Sequence, residues 1–306
     1  MIRFVESDQI DQQKWDQLIF ESQYPTIFAS FNFLNLSSHK WGAIIAHDYE
    51  WVIPLPYRVK CGVYYIYTPP FISRLGFFSR DEISQKEITA AFDHIPKKFC
   101  LVELGLNRLC PPSLGRESQS FELYLNQEYQ IIYSKYSENT KRNLKSAAKK
   151  QLMLVQTVEI EDIISLFKNN RGKKIDHSIP EAHYQILIKL VQCASKSGNI
   201  EKWGVWDQNQ QLIAGAIFLN DQNRKWFWFS GRDDTKSDSK AMFLLIDHII
   251  KIHENSELIL DFNGSNNPNI ARFYAGFGAT SYIYPYLMKY RPILQPFIKW
   301  YKMMKK

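Results

Sequence analysis

The chain has 306 residues, room for two domains, and its 45% hydrophobic content supports a full core. Its 38 Lys and Arg against 31 Asp and Glu give a net charge of +7, and aromatics make up 15%. There is no low-complexity segment or short-period repeat, and the charge balance favours an anionic partner (a nucleotide cofactor, RNA or an anionic membrane face), with a basic but inert surface as the plain alternative.

In chain order, residues 2–5 predict a strand, and 12–22 a helix with Trp15, Leu18 and Ile19 on one face. Residues 26–34 start a second helix or a helix-like turn. Strands over 41–47 and 50–56 meet at Asp48 and Tyr49 as a hairpin, and a strand over 63–68 stops at Pro69 and Pro70. Ser79 with Glu82 spells a capping box, and Ser84 with Glu87 offers a second start for the same helix. A strand over 99–104 closes the series, which suits a mixed α/β sheet. Pro111, Pro112 and Gly115, with Ser113, Ser118 and Ser120, mark a linker, giving expected domains of 1–118 and 119–306.

The second part opens with a strand over 121–125 and a helix around 128–133. From Ser137 to Lys150 a helix carries Lys141, Lys145 and Lys149 four residues apart, with Leu144, Ala147 and Ala148 on the packed side. A strand over 153–157 and a helix over 161–170 follow, the latter with Ile163, Ile164 and Phe167 inward. Arg171, Lys173 and Lys174 form a second basic cluster before Asp176 and His177, in what reads as a loop. Pro180 suits the first turn of a helix over 180–197. Strands over 200–206, 211–219 and 225–230 make a meander. The unbroken run Trp226, Phe227, Trp228, Phe229 marks its third strand as central and covered on both faces. A helix over 239–253 precedes a short apolar strand that ends on Asp261. Asn267 is then a good N-cap, Pro268 fits the first helical position, and Ile270, Phe273 and Tyr274 recur at helical spacing before Gly276. Phe277, Gly278 and Ala279 lead into a last strand. The tail from Arg291 sets Phe297, Ile298, Trp300 and Tyr301 among lysines. It reads either as a basic amphipathic helix touching an anionic membrane or as a helix docked on the domain.

Cys61, Cys100, Cys110 and Cys193 form no CxxC pair and stand at no metal-ligand spacing with a histidine, so buried thiols and no metal site are expected. No signal-peptide core and no run near the ~20 apolar residues of a membrane span are visible, and a cytoplasmic protein is expected.

The stretch from Asp261 to Ser265, with Asn269 to Tyr274 and Gly276 to Ala279, resembles the C-terminal motif of the GNAT superfamily. More narrowly it is similar to the branch holding the Fem-type peptidoglycan aminoacyltransferases, which are two GNAT-like domains in tandem. Thr26, Phe28 and Ser30, the prolines at 54, 56, 69 and 70, and Lys141, Arg142, Asn143 and Ala147 fit the same resemblance. The order of the second part, strand, helices, three-strand meander, helix, strand, helix, strand, is the GNAT order. The resemblance implies a mixed α/β fold of two tandem GNAT-like domains, the N-terminal one degenerate. It implies transfer of an acyl group from acyl-CoA (acetyl-CoA), or of an aminoacyl group from tRNA, to an amine on a small molecule or a cell-wall precursor. The other reading is a non-catalytic binding protein on the same scaffold, holding an anionic glycan, RNA or a membrane surface.

On that resemblance the donor's phosphates meet the junction 230–242, where Arg232, Ser239, Lys240 and Ala241 are the candidates. The usual Arg/Gln-x-x-Gly-x-Gly/Ala pattern is missing there: the loop is longer and polar, and Lys240 stands where paired glycines would close on phosphate. A solvated loop with an ordinary lysine is the plain alternative. Asp261 is the leading carboxylate, either taking the amine's proton through water or holding the loop at Ser265. Tyr274 either donates to a leaving group or packs in the core. Asn263 and Ser265 are candidates to hydrogen-bond the acceptor. Arg142 is the better anion ligand of the basic helix, since a guanidinium grips planar anions bidentately, while Lys145, Lys149 and Lys150 read as a solvated face.

Overall fold

A computed structural model of the chain describes residues 1–170 and 179–291. The basic cluster at Arg171–Lys174, Asp176 and His177, and the tail beyond Arg291, lie outside the described residues. In order, the elements are β1 (Ile2–Glu6), α1 (Gln12–Glu21), α2 (Phe31–Ser37), β2 (Lys40–Ala46), β3 (Trp51–Lys60), β4 (Val63–Tyr67), β5 (Phe78–Ser79), α3 (Gln85–Ala91) and β6 (Phe99–Gly105). There follow β7 (Arg116–Tyr124), α4 (Tyr129–Ser134), α5 (Glu138–Ala147), β8 (Met153–Val155), α6 (Ile160–Asn169), α7 (Glu181–Lys196), β9 (Ile200–Trp206), β10 (Leu212–Asn220) and β11 (Arg224–Arg232). The last are α8 (Ala241–Ile252), β12 (Ile259–Asp261), α9 (Pro268–Ala275) and β13 (Thr280–Tyr290). The chain divides into two compact units: Met1–Ser118 with the chain from Ile283, and Gln119–Tyr282.

The first unit carries the strand order β1-β2-β3-β4-β6-β13, with β5 paired to β3. All neighbours are antiparallel except β4 and β6. Strands β2 and β3 are buried over most of their length, so both faces of this part of the sheet are covered. Asp11 caps α1 by accepting from the Lys14 N–H, and Trp15, Leu18 and Ile19 turn inward as their spacing requires. The Trp15 indole donates to the Ala29 carbonyl at 2.8 Å. The helix expected over 26–34 is instead a 3-10 turn at Ile27–Ala29, capped by Thr26, followed by α2. Of the two capping boxes, the second forms: Ser84 accepts from the Glu87 N–H, and the Glu87 carboxylate accepts from the Ser84 N–H. Ser79 lies in β5, paired with Trp51. The proline-rich stretch is a 3-10 turn at Pro112–Leu114, and β7 begins at Arg116, earlier than the expected 121. Gly115 has no room for a side chain, because a Cβ there would collide with the Tyr286 carbonyl. From Tyr286 on, β13 pairs with β6.

The second unit carries the order β7-β12-β11-β10-β9-β8, antiparallel except for β11 beside β12. Its core joins Phe218, Phe227, Leu245, Ile246, Phe262 and Phe277 between the sheet, α8 and α9. Each such side chain, fully buried, contributes about 1.5–3 kcal/mol. On β11 the residues Arg224 to Phe229 are all buried, as a strand covered on both faces requires. Asn267 caps α9, accepting from the Asn269 and Ile270 N–H groups. That helix stops at a right-handed Gly276, and the left-handed residue is Gly278, at φ 76°. Ala148, expected on the packed side of α5, is exposed, since the helix ends at Ala147.

Of the four free cysteines only Cys110 is fully buried, which pushes its thiol up to about 12, and Cys61 is exposed rather than buried. No described helix is long and apolar enough to cross a membrane, and no group of three His, Cys, Asp or Glu among the described residues could hold a metal.

Candidate functional site

Strand β11 ends at Arg232 and leads into 3-10 turns over Asp234–Ser239. Asp233 fixes the first turn by accepting from the N–H and hydroxyl of Thr235, at 2.9 and 2.7 Å. The Asp234 N–H donates to Asn170 Oδ1 at 3.0 Å, and Arg232 Nε donates to Asp234 at 2.9 Å. Ser239 Oγ accepts from the Ala241 N–H, the first residue of α8. Lys240 sits between them at φ 56°, a left-handed conformation costing roughly 1 kcal/mol for a non-glycine residue.

Beside this junction lies a cavity of about 410 Å³ lined by Lys149, Lys150, Leu152, Asp207, Lys236 and Ser239, among others. Lys149 and Lys150 follow the C-terminal end of α5, where the helix dipole favours cations. Lys236 stands 3.5 Å from Asp207. The backbone N–H groups of Gln211 and Asn209, together with Lys236, hold the Asp207 carboxyl below its ordinary value. Three lysines against one aspartate leave the cavity cationic, and such a cavity suits a phosphate-bearing ligand. Of the candidate site residues proposed from the sequence, Ser239 lines it. Arg142, Arg232, Lys240, Ala241, Asp261, Asn263, Ser265 and Tyr274 do not. Lys149 and Lys150, expected as a solvated face, are exposed and also border this cavity. The signal for that was the basic doublet directly after a helix end.

The loop after β12 is built around Asp261. Its carboxylate is fully buried and accepts from Arg224 at 2.8 Å, the Tyr282 hydroxyl at 2.6 Å, Ser120 Oγ at 3.2 Å and the Asn263 N–H at 2.8 Å. Arg224 also bonds Glu122 at 3.0 Å. Asn263 and Gly264, at φ 58° and 89°, turn the chain away. The Ser265 N–H donates to the Gln119 carbonyl, and Ser265 Oγ accepts from the Asn267 N–H at 3.0 Å. The Tyr274 ring stacks on Phe262 with centroids 4.5 Å apart, inside the core. Arg142 is exposed on α5.

A second buried polar cluster was also missed. Lys225 Nζ donates to Glu201 at 2.5 Å and to Asn220 at 2.6 Å, with His253 at 3.7 Å from the same glutamate. Burial alone would raise Glu201. The neighbouring His253 and Lys225 overcome that and hold its carboxyl far below the ordinary range. A depressed folded-state pKa means stability fully present above the unfolded value of ~4.3 and lost as the pH falls through the folded one. The urea midpoint of the wild type is therefore expected to fall on acidification below that value more steeply than that of Glu201→Gln. Parallel slopes would remove Glu201 from the acid response.

No family model matches the sequence, and no curated protein does. Solved structures do match. FemX superposes at a TM-score of 0.67 with 10% identity, over 94% of this chain and 98% of that one. A conserved protein of unknown function from Bacteroides thetaiotaomicron gives 0.61 and 7%, over 95% and 100%. The C-terminal domain of a putative lysylphosphatidylglycerol synthetase from Agrobacterium fabrum gives 0.51 and 10%, over 90% of each chain. At such identities the likeness is one of fold: the chain has the tandem GNAT-like fold of the Fem type that its motifs implied.

Proposed function

We propose that the chain is a GNAT-like acyltransferase that takes a phosphate-bearing acyl donor, acyl-CoA or aminoacyl-tRNA, at the lysine-lined cavity beside the opening of α8. The fold alone does not carry this, since one fold hosts many chemistries. The observation that carries it is the meeting of Lys149, Lys150, Lys236 and Ser239 around one cavity at the strand-to-helix junction. In the reaction the acceptor's amine attacks the donor's carbonyl carbon, the C–S or C–O bond breaks, and the proton lost by the amine balances the one gained by the leaving group. Ser239, Lys240, Ala241 and Arg232 frame the donor's side. Arg142 offers a further grip on an anionic part of donor or acceptor. Asn263 and Ser265 face the acceptor through the loop they form. The acceptor is an amine on a small molecule or a cell-wall precursor. Asp261 and Tyr274 serve as positioning residues, because the carboxylate already accepts from four donors and the ring is stacked in the core.

One observation favours the second reading, a non-catalytic protein holding an anionic partner in the same cavity. Asp207, the carboxylate in the lining, already accepts from backbone N–H groups and lies beside Lys236. Isothermal titration with acetyl-CoA, longer acyl-CoAs, desulfo-CoA and charged tRNA separates the readings. An acyl-CoA or charged tRNA is expected to bind in a salt-sensitive way and to be consumed when an amine is supplied. Lys149→Glu with Lys150→Glu is expected to weaken binding at least about tenfold, or ~1.4 kcal/mol. Binding without consumption in the presence of any amine supports the non-catalytic reading. Wild-type affinity in the double variant, or no binding at all, removes the cavity as the donor site.

A further inference from the structure

The first unit holds a second cavity, about 490 Å³, whose lining includes Glu6, Trp41, Tyr57, Tyr64 and Lys98. At its edge Lys98, in the turn before β6, is held in an unusual way. Its Nζ lies 4.5 Å from the ring centroid of Phe4, 5.2 Å from Phe99, 5.5 Å from Tyr64 and 5.6 Å from Tyr57. The same Nζ donates to Glu6 Oε1 at 3.0 Å. The rings also support one another: Phe99 meets Tyr57 edge-on at 5.2 Å and Phe4 at 5.6 Å. The Tyr57 hydroxyl donates to the other Glu6 oxygen at 2.7 Å, so the carboxylate is aimed as well as charged. Burial and the adjacent Glu6 raise the Tyr57 hydroxyl well above its ordinary pKa, which keeps it a donor.

Four aromatic faces and one oriented carboxylate around an ammonium make a cation cage. Two features set this cage apart from a packing detail. Lys98 and Glu6 are each 38% exposed, so the ion pair is at the surface, where such pairs are held weakly. The cage also opens into a cavity far larger than one ammonium. There Ser38 Oγ is enclosed with no hydrogen-bond partner among the described residues, and Trp41 is almost fully buried with its N–H fixed on Asn35. A lysine on a turn has a long, flexible stem and can withdraw.

We propose that this cavity is a recognition site for a primary alkylammonium group, whose seat Lys98 fills in the unliganded chain. The ligand's N–H groups would replace those of Lys98 on Glu6, its charge would face the four rings, and the rest of the molecule would extend into the cavity past Tyr64 and Ser38. A quaternary ammonium has no N–H for Glu6 and binds less well. This inference is independent of the donor site.

The test uses the full chain, with n-butylammonium as probe and tetramethylammonium as control. Lysine side-chain NMR follows the Lys98 methylene signals, which the surrounding rings displace. In the wild type, n-butylammonium is expected to move these signals saturably toward the position of a solvated lysine. In Lys98→Ala it is expected to bind at least about tenfold more tightly, since no internal ammonium competes. Adding Glu6→Gln to that variant is expected to remove the preference for the primary over the quaternary ion. If Lys98→Ala folds poorly, Lys98→Met keeps the stem and removes the charge. Lys98 signals that stay in place in the wild type while the variant binds the probe would make the cage a structural seat for Lys98 alone and overturn the proposal. Equal affinity in wild type and variant, or no binding in either, would overturn it too.

Discussion

Arg224→Met is expected to destabilise the second unit by about 3–5 kcal/mol, the cost of leaving buried charge without its partner. Arg224 is 6% exposed, and its NH1 nitrogen joins Glu122 and Asp261, themselves 6% and 0% exposed. Methionine fills much of the same volume, so the loss measures charge more than packing. For a unit of this size the melting temperature should fall by about 6–20 °C. Arg224→Lys should fall between wild type and Arg224→Met, because an ammonium keeps the charge but is a more strongly hydrated point charge than a guanidinium and costs more to bury. Adding Glu122→Gln and Asp261→Asn to Arg224→Met should recover part of the loss, since a neutral network leaves no charge unpaired. Urea unfolding of the four proteins checks the order. An Arg224→Met protein as stable as the wild type would mean that Asp261 is not an anchor, and would return it to consideration as the group that accepts the amine's proton.

That network also shows where a sequence stops being legible. Local patterns were readable wherever the physics is local: the inward stripes of α1 and α6, the β2–β3 hairpin, and the Asn267-Pro268 start of α9 all follow from spacing and caps. The Ser79 box failed although its residues were right. Ser79 and Phe78 pair with Trp51 and Val52, and a strand partner at that sequence distance outweighs a local cap. Asp261 could be seen at a strand end, but its partners Ser120, Arg224 and Tyr282 come from three other places in the chain. Sequence therefore left its two roles open. Lys149 and Lys150 read as a solvated face and are exposed, but that they border a cavity was not legible, because the order β8-β9-β10-β11 is what brings them to the turn at Asp207 and to Lys236. Arg224 and Lys225 opened an apolar run and gave a signal of sorts, since charges entering a covered strand need buried partners.

Gly231→Ala should cost about 3 kcal/mol or more, at or above the upper end for adding one methyl to a packed interior. A Cβ on Gly231 would lie 2.5 Å from the Ile163 carbonyl oxygen, 2.7 Å from the Phe167 nitrogen and 2.9 Å from Leu166 Cβ. The first two are backbone atoms four residues apart on α6, the spacing joined by a helical hydrogen bond, so the methyl would press on that bond itself. No rotamer change relieves such a contact; α6 or β11 must move. Gly198→Ala makes the control. Gly198 is at φ 71° with open space around its Cβ position, so its loss is conformational, about 1 kcal/mol. The comparison bears on function as well, because Asn170, the residue that caps α6, holds the junction proposed for the donor: its Oδ1 accepts from the Asp234 N–H at 3.0 Å. A displaced α6 should therefore loosen the turn leading to Ser239, and Gly231→Ala should lose donor affinity even under conditions where it stays folded. Gly198→Ala should keep that affinity. If urea unfolding gave equal losses for the two variants, the close approach of α6 to β11 would not be what holds that junction in place.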